Sequence, residues 1–393
     1  MVSFISISHC VSLCVLVSSM MLGSSAVPVS GSSHRAVSAS SSNSTLPPLI
    51  SSRCSPPSNK GSANDLKSEP YNIQKNTQWY TAHGGNLTSI NKRDDNTVGG
   101  MTLDLPDGAP SISTSAAIAT SADDDEITTA TAAQIQQLTQ YAAIASTAYC
   151  TDVVPGNSWT CNQCTKWAPD GKIITTFTST LSDTHGYVMR SDKQKTIYVV
   201  FRGTSSFRSA VTDIVFNFSD YTPVKGAKVH AGFYSSYKQV ANDYFTTFQD
   251  QLTAFPGYKV IVTGHSLGGA QALLAGMDLY QRESRLSPKN LSIYTFGGPR
   301  VGNPTFAYYV ESTGIPVYRS VDKRDIVPHV PPQSMGFLHP GVEYWIKSGD
   351  TDVQVCTSEI ETKYCSNSIV PFTSIDDHSY YYGITEGKAG CSA

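Results

Sequence analysis

The string Gly264-His265-Ser266-Leu267-Gly268 has the spacing of a nucleophile elbow. A GxSxG string alone carries little weight, since roughly 0.1 matches arise by chance in a chain of this size. Its surroundings carry more. Lys259–Thr263 before it is an apolar, β-branched run, and Gly269-Ala270-Gln271-Ala272-Leu273-Leu274 after it is helix-forming. A tight strand–turn–helix would hold Ser266 in a strained turn with its hydroxyl presented. Gly264 and Gly268 would let strand and helix approach closely. The helix N-terminus would aim unpaired amides at the point where negative charge develops. That is the chemistry of acyl transfer by a serine nucleophile.

A serine hydroxyl needs a base, and the base needs an orienting carboxylate. His329, His339 and His378 follow Ser266. Asp325 lies just past the apolar run Val317–Val321, and acids at the carboxyl ends of parallel strands face the functional edge of a sheet. His329 is close to Asp325 in sequence. His378 sits in the late polar segment Asp376-Asp377-His378-Ser379, which could fold back over Ser266. Position alone does not choose among these histidines. His230 and His265 read as structural. Two oxyanion donors are also required. The amide of Leu267 is one candidate. Thr204, just after the run Thr196–Phe201, is the other, although a plain strand-ending turn fits the same residues.

The elements needed to position these groups are those of an α/β domain. Ile135, Leu138, Ala142, Ala145 and Tyr149 recur at helical spacing. Tyr237, Val240, Tyr244, Phe248 and Leu252 suggest a second helix, and a helical pattern surrounds Phe306–Val310. Ile173–Phe177, Tyr187–Met189, Thr196–Phe201, Lys259–Thr263, Leu291–Phe296 and Val317–Val321 read as strands. Strands alternating with helices imply a mostly parallel central sheet covered by helices on both faces.

Composition bounds the rest. Of 393 residues, 40% are hydrophobic and 15% charged, with a net charge of −3, so nucleic acid is not an expected partner. Val11–Leu22 is a short apolar run followed by Ser24-Ser25-Ala26, as in a signal peptide covering residues 1–26, and no later run is long enough to span a bilayer. Residues 27–121 are rich in Ser, Pro and Asn, with a dibasic Lys92-Arg93 pair, and read as a largely irregular propeptide. Residues 122–393 form the catalytic domain. Asn43, Asn86, Asn217 and Asn290 are glycosylation candidates. In an oxidising compartment Cys150, Cys161, Cys164, Cys356, Cys365 and Cys391 make three disulfides, with 15 possible connectivities. Phe207, Ala210, Val211 and Ile214 fall at i, i+3, i+4 and i+7, giving residues 205–214 one apolar helical face.

Taken together, FRGTSSFRSAVTD, VTGHSLGGAQALL, GGPRVGNPTFA, RDIVPHVPP and CSNSIVPFTS resemble the fungal triacylglycerol lipases of the Rhizopus and Rhizomucor type, class 3. The resemblance runs from about residue 130 to about 390, and the leader resembles their precursors. It implies an α/β-hydrolase-like fold with a Ser266, Asp325, His378 triad and with Thr204 and Leu267 as oxyanion residues. It implies a lid over residues 205–214, with Asp213 supporting the oxyanion loop. It implies the pairs Cys150–Cys391, Cys161–Cys164 and Cys356–Cys365. It also implies a secreted, extracellular enzyme, expected as a monomer, acting on the outer esters of triacylglycerols at a lipid–water interface with no metal and no cofactor. Relatives carry apolar residues around the histidine where this chain has Asp376 and Ser379, which opens acyl-chain preference. The competing readings are a feruloyl or other soluble carboxylesterase of the same fold, which would lack the apolar lid, and an inactive binding protein, which would lack a complete triad.

Overall fold

The computed structural model describes residues 46–56, 97–98, 101–102, 127–179, 181–204, 217–357, 360–362, 365–370 and 373–391. The expected signal peptide, most of residues 27–121 and the segment 205–214 lie outside the described residues.

Among the described residues, nine strands form one sheet. In chain order they are β1 (Ile127–Thr129), β2 (Lys172–Ser179), β3 (Thr184–Ser191), β4 (Thr196–Phe201), β5 (Lys259–His265), β6 (Leu291–Phe296), β7 (Val317–Asp322), β8 (Val342–Ser348) and β9 (Asp352–Cys356). Their spatial order is β1-β9-β8-β7-β6-β5-β4-β3-β2. The five central strands, β4 to β8, run parallel. The two outer strands on each side pair antiparallel.

The helices are α1 (Ala132–Ser146), α2 (Asn162–Trp167), α3 (Ala231–Val240), α4 (Phe245–Ala254), α5 (Leu267–Arg282) and α6 (Pro304–Ser312). Because side chains alternate along a strand, the continuous apolar strands feed two cores. Ile197, Val199, Phe201, Val260 and Val262 pack with residues of α3, α4, α5 and α6. Tyr198, Val200 and Ile261 pack with Leu138, Tyr141 and Ala142 of α1. Each such side chain taken fully out of water contributes about 1.5–3 kcal/mol, which holds the sheet between the two helical layers.

α1 starts where its capping box closes: the Gln134 amide donates to Thr131 Oγ1 at 3.3 Å, and the Thr131 amide donates to Gln134 Oε1 at 2.8 Å. It ends at Ser146 and passes into a 3₁₀ turn, Thr147–Tyr149. The periodicity from Tyr237 to Leu252 suggests one helix, but the structure has two, α3 and α4. The break follows Val240, where Arg282 donates to the Ala241 carbonyl at 3.1 Å and to Asn242 Oδ1 at 3.3 Å. A side chain from α5 thus takes the role of a helical amide. Strand β8 is not evident from the sequence because Glu343 interrupts its apolar pattern. Glu343 is buried and meets Arg319 Nη2 at 2.8 Å.

Cys150 is joined to Cys391, Cys161 to Cys164 and Cys356 to Cys365. Residues 46–56, inside the expected propeptide, lie against the C-terminal end of α5. Arg53 donates to the carbonyls of Tyr280 at 2.7 Å, Glu283 at 3.0 Å and Ser284 at 3.0 Å, and stacks over the Tyr280 ring. Ile50 N–H donates to the Gln281 carbonyl at 2.8 Å. The last carbonyls of a helix lack intrahelical donors, and a cation there also meets the negative end of its dipole. Among the described residues no helix is long and apolar enough to cross a membrane.

Candidate active site

Ser266 stands at the junction of β5 and α5 with φ 59° and ψ −130°. Non-glycine residues rarely adopt such a backbone, and it costs on the order of 1–3 kcal/mol. The surrounding packing enforces it. A Cβ on Gly264 would lie 2.2 Å from the Gly268 oxygen, and one on Gly268 would lie 2.3 Å from the Phe201 oxygen. Strand and helix therefore touch backbone to backbone. The Ser266 amide donates to the Phe296 carbonyl at 2.9 Å, which ties the turn to β6.

Asp325 lies past the end of β7 and is fully buried. Its Oδ2 accepts from His378 Nδ1 at 2.7 Å and from the Tyr381 hydroxyl at 2.6 Å, while its Oδ1 accepts from the Val327 amide at 2.9 Å. A carboxylate only accepts, so His378 carries its hydrogen on Nδ1 and has its basic lone pair on Nε2. The loop bearing His378 is sewn to the loop bearing Asp325. Ser374 N–H donates to the Arg324 carbonyl at 2.7 Å, Ile326 N–H donates to the Ser374 carbonyl at 3.1 Å, and Arg324 N–H donates to Asp377 Oδ2 at 3.0 Å. Asp377 therefore turns to the Arg324 backbone, and Asp376 is exposed. A Cβ on Gly297, directly after β6, would fall 2.9 Å from both Asp325 Oδ2 and His378 Cε1. Ser266, Asp325 and His378 thus gather at the carboxyl ends of β5, β6 and β7.

Gly203, next to Thr204, passes directly over Ser266. A Cβ there would sit 2.9 Å from Ser266 Cβ. Thr204 is half-buried, and Leu267 opens α5 with its side chain against the core. Phe207, Ala210, Val211, Asp213 and Ile214 lie outside the described residues.

The field around the site is set by burial. Asp322, at the end of β7, is pushed up to about 7, chiefly by burial, with Lys323 opposing and Asp377 and Asp325 adding to the rise. Burial also raises Asp377 and holds the Tyr381 hydroxyl well above its usual range, so it stays a donor to Asp325. The other late histidines sit elsewhere. His329 Nδ1 lies 3.2 Å from Asn367 Oδ1, and His339 Nε2 donates to the Pro328 carbonyl at 2.8 Å. Burial drives His329 down to about 3, helped by Arg300. Tyr381 is the site residue that sequence reasoning missed. Its only signal was its position three residues after His378, within an aromatic run that reads as core.

An elbow serine, an imidazole aligned by a carboxylate, and a helix N-terminus on a parallel-centred sheet define a serine hydrolase of the α/β-hydrolase type. Comparison with known proteins narrows this. A family model described as Lipase (class 3) matches residues 198–335. The chain is 77% identical over 391 residues to a lipase of Rhizopus niveus, covering 99% of this chain and 100% of that one. The solved propeptide complex of Rhizomucor miehei lipase matches with a TM-score of 0.73 at 46% identity, covering 87% of this chain and 99% of that one. A structure described as a serine protease triad forming the catalytic centre of a triacylglycerol lipase matches with a TM-score of 0.65 at 53% identity, over 68% and 100% of the two chains. The chain belongs to the class 3 lipase family.

Proposed function

We propose that the chain is a secreted triacylglycerol lipase that cleaves carboxylic esters through an acyl-enzyme on Ser266. The observation that carries this is the strained Ser266 turn beside the 2.7 Å His378–Asp325 pair. Ser266 attacks the ester carbonyl while His378 Nε2 takes its proton. Asp325 keeps the imidazole in the required tautomer and stabilises the cation that forms. The amides of Leu267 and Thr204, with the Thr204 hydroxyl, receive the developing oxyanion. His378 then protonates the departing alcohol, and water repeats the sequence to release the fatty acid.

Residues 1–26 direct secretion, residues 27–121 are a propeptide, and residues 122–393 are the monomeric catalytic domain. Residues 205–214 act as a lid whose apolar face (Phe207, Ala210, Val211, Ile214) covers the site in water and enters the lipid at an interface. At about 25 cal/mol per Å², a few hundred Å² of buried apolar surface favours opening by several kcal/mol. The test of the site is Ser266→Ala. It should abolish hydrolysis of both emulsified triacylglycerol and a soluble short-chain ester with unchanged circular dichroism. A phosphonate ester should label the unmodified chain at Ser266. Retained turnover, or labelling elsewhere, would sink the assignment. For the lid, rate against tributyrin concentration should rise sharply above its solubility limit, and a rate that saturates smoothly instead would remove that role.

A further inference from the structure

Beneath the triad lies a buried chain of polar groups that the hydrolysis steps do not use. His265 Nε2 is 2.9 Å from the backbone carbonyl of His378. A carbonyl only accepts, so Nε2 carries the hydrogen. His265 Nδ1 is 2.8 Å from the Tyr149 hydroxyl. Burial, with His378 adding to it, holds His265 well below its ordinary range, so the ring is neutral and Nδ1 accepts from Tyr149. The Tyr149 oxygen in turn lies against the Gly203 backbone. The approach is close: a Cβ on Gly203 would lie 2.1 Å from that oxygen. The hydrogen bonds therefore run in one direction, from Tyr149 through His265 to the His378 carbonyl, with Gly203 packed against their start. The His265 and His378 rings also lie 4.5 Å apart, centroid to centroid. Glu386 Oε2 lies 3.9 Å from His265 Nδ1, and burial alone raises this carboxyl well above its usual range.

We propose that Tyr149 and His265 are positioning residues that lock the oxyanion loop, Gly203-Thr204, to the loop carrying His378, so that both sides of the transition state are held by one hydrogen-bonded strut. The strut's location supports this. Tyr149 ends the 3₁₀ turn after α1 and is anchored by the adjacent Cys150–Cys391 disulfide, whereas His265 is the residue before the nucleophile. Both side chains are buried. Their effect is to fix two loops that would otherwise be set independently, and a misplacement near 1 Å costs on the order of 10²-fold in rate.

The inference rests on the roles proposed above for Ser266, His378 and Thr204. The test uses Tyr149→Phe, Thr204→Ala and the double variant, assayed on a soluble short-chain ester in the full-length secreted protein. Tyr149→Phe should lower kcat by about 10- to 100-fold with KM within about twofold. Its effect should shrink in the Thr204→Ala background, because groups that act through one loop are not additive. A purely structural role would lower the amount of active enzyme, read by phosphonate titration, and would leave kcat per titrated site unchanged. That result overturns the proposal, as does full additivity with Thr204→Ala. If Thr204→Ala has no effect, the oxyanion assignment fails instead, and Ser266→Ala tests the site independently. Should Tyr149→Phe not fold, His265→Leu is close to histidine in volume, removes both hydrogen bonds, and carries the same cycle and the same outcomes.

Discussion

Two alanine substitutions, one in β5 and one in α5, separate what the elbow does for catalysis from what it does for stability. At Gly264 the new Cβ would stand 2.2 Å from the Gly268 oxygen and 2.4 Å from its carbonyl carbon. Both are backbone atoms, so relief requires moving the start of α5 away from β5 by about 1.2 Å to restore ordinary 3.4 Å contact. Such a shift carries Ser266 and the Leu267 amide with it. A displacement of about 1 Å at the reacting atoms costs on the order of 10²-fold in rate, and the overpacking costs about 1–3 kcal/mol of stability. At Gly276, about two and a half turns into α5, the new Cβ would stand 2.2 Å from Ile293 Cδ1 and 2.6 Å from its Cγ1. These are side-chain atoms, not backbone, and alanine in place of glycine favours the helix by up to about 1 kcal/mol. Gly264→Ala is therefore expected to lose about 10²-fold in kcat on a soluble ester, with Gly276→Ala within about twofold of the parent. Thermal denaturation and phosphonate titration of both variants check that the comparison is made on folded enzyme. Equal kcat in Gly264→Ala and the parent, at equal titrated sites, would refute the claim that backbone contact between β5 and α5 sets the nucleophile.

Asp325→Asn would place an amide nitrogen where Oδ2 accepts from His378 and Tyr381. The imidazole is then forced into the wrong tautomer, and kcat should fall about 10⁴-fold, as in serine-protease triads, with little change in melting temperature. Asp322, held near 7 by burial, keeps a proton in the folded chain that the unfolded chain has lost above its own pKa of about 3.8. Its contribution is present in acid and is lost as pH rises toward 7, by up to about 1.4 kcal/mol per pH unit. The melting temperature of Asp322→Asn relative to the parent should therefore climb between pH 4 and 7 and level off above. A flat difference would reject the assignment. Arg53→Ala removes three hydrogen bonds from Arg53 to the end of α5. The unprocessed chain should lose about 1–3 kcal/mol of stability in denaturant unfolding, and an unchanged midpoint would reject the contact.

The element pattern was legible wherever one physical rule dominated. Thr196–Phe201 and Lys259–Thr263 are apolar throughout because central parallel strands are buried on both faces. The elbow was legible because backbone packing at Gly264 and Gly268 excludes every side chain, leaving a mark in residue types. Elements shaped by long-range pairs left no such mark. The break between α3 and α4 depends on Arg282, and β8 contains a charge, Glu343, made tolerable only by Arg319. The residue types of the site came from the sequence, as did the rule that an acid follows a strand end. Which histidine meets that acid was decided by tertiary structure. The Ser374 bridge and the Asp377 contact fold the last loop onto Asp325, while His329 and His339 are drawn into the separate cluster around Arg300, Glu361 and Asn367. Local sequence records what a residue's immediate neighbours demand. The distance of 2.7 Å between residues 325 and 378 is set by chain segments that meet only after folding, so local pattern could only narrow the histidine; the family resemblance pointed to His378, and the fold places it on Asp325.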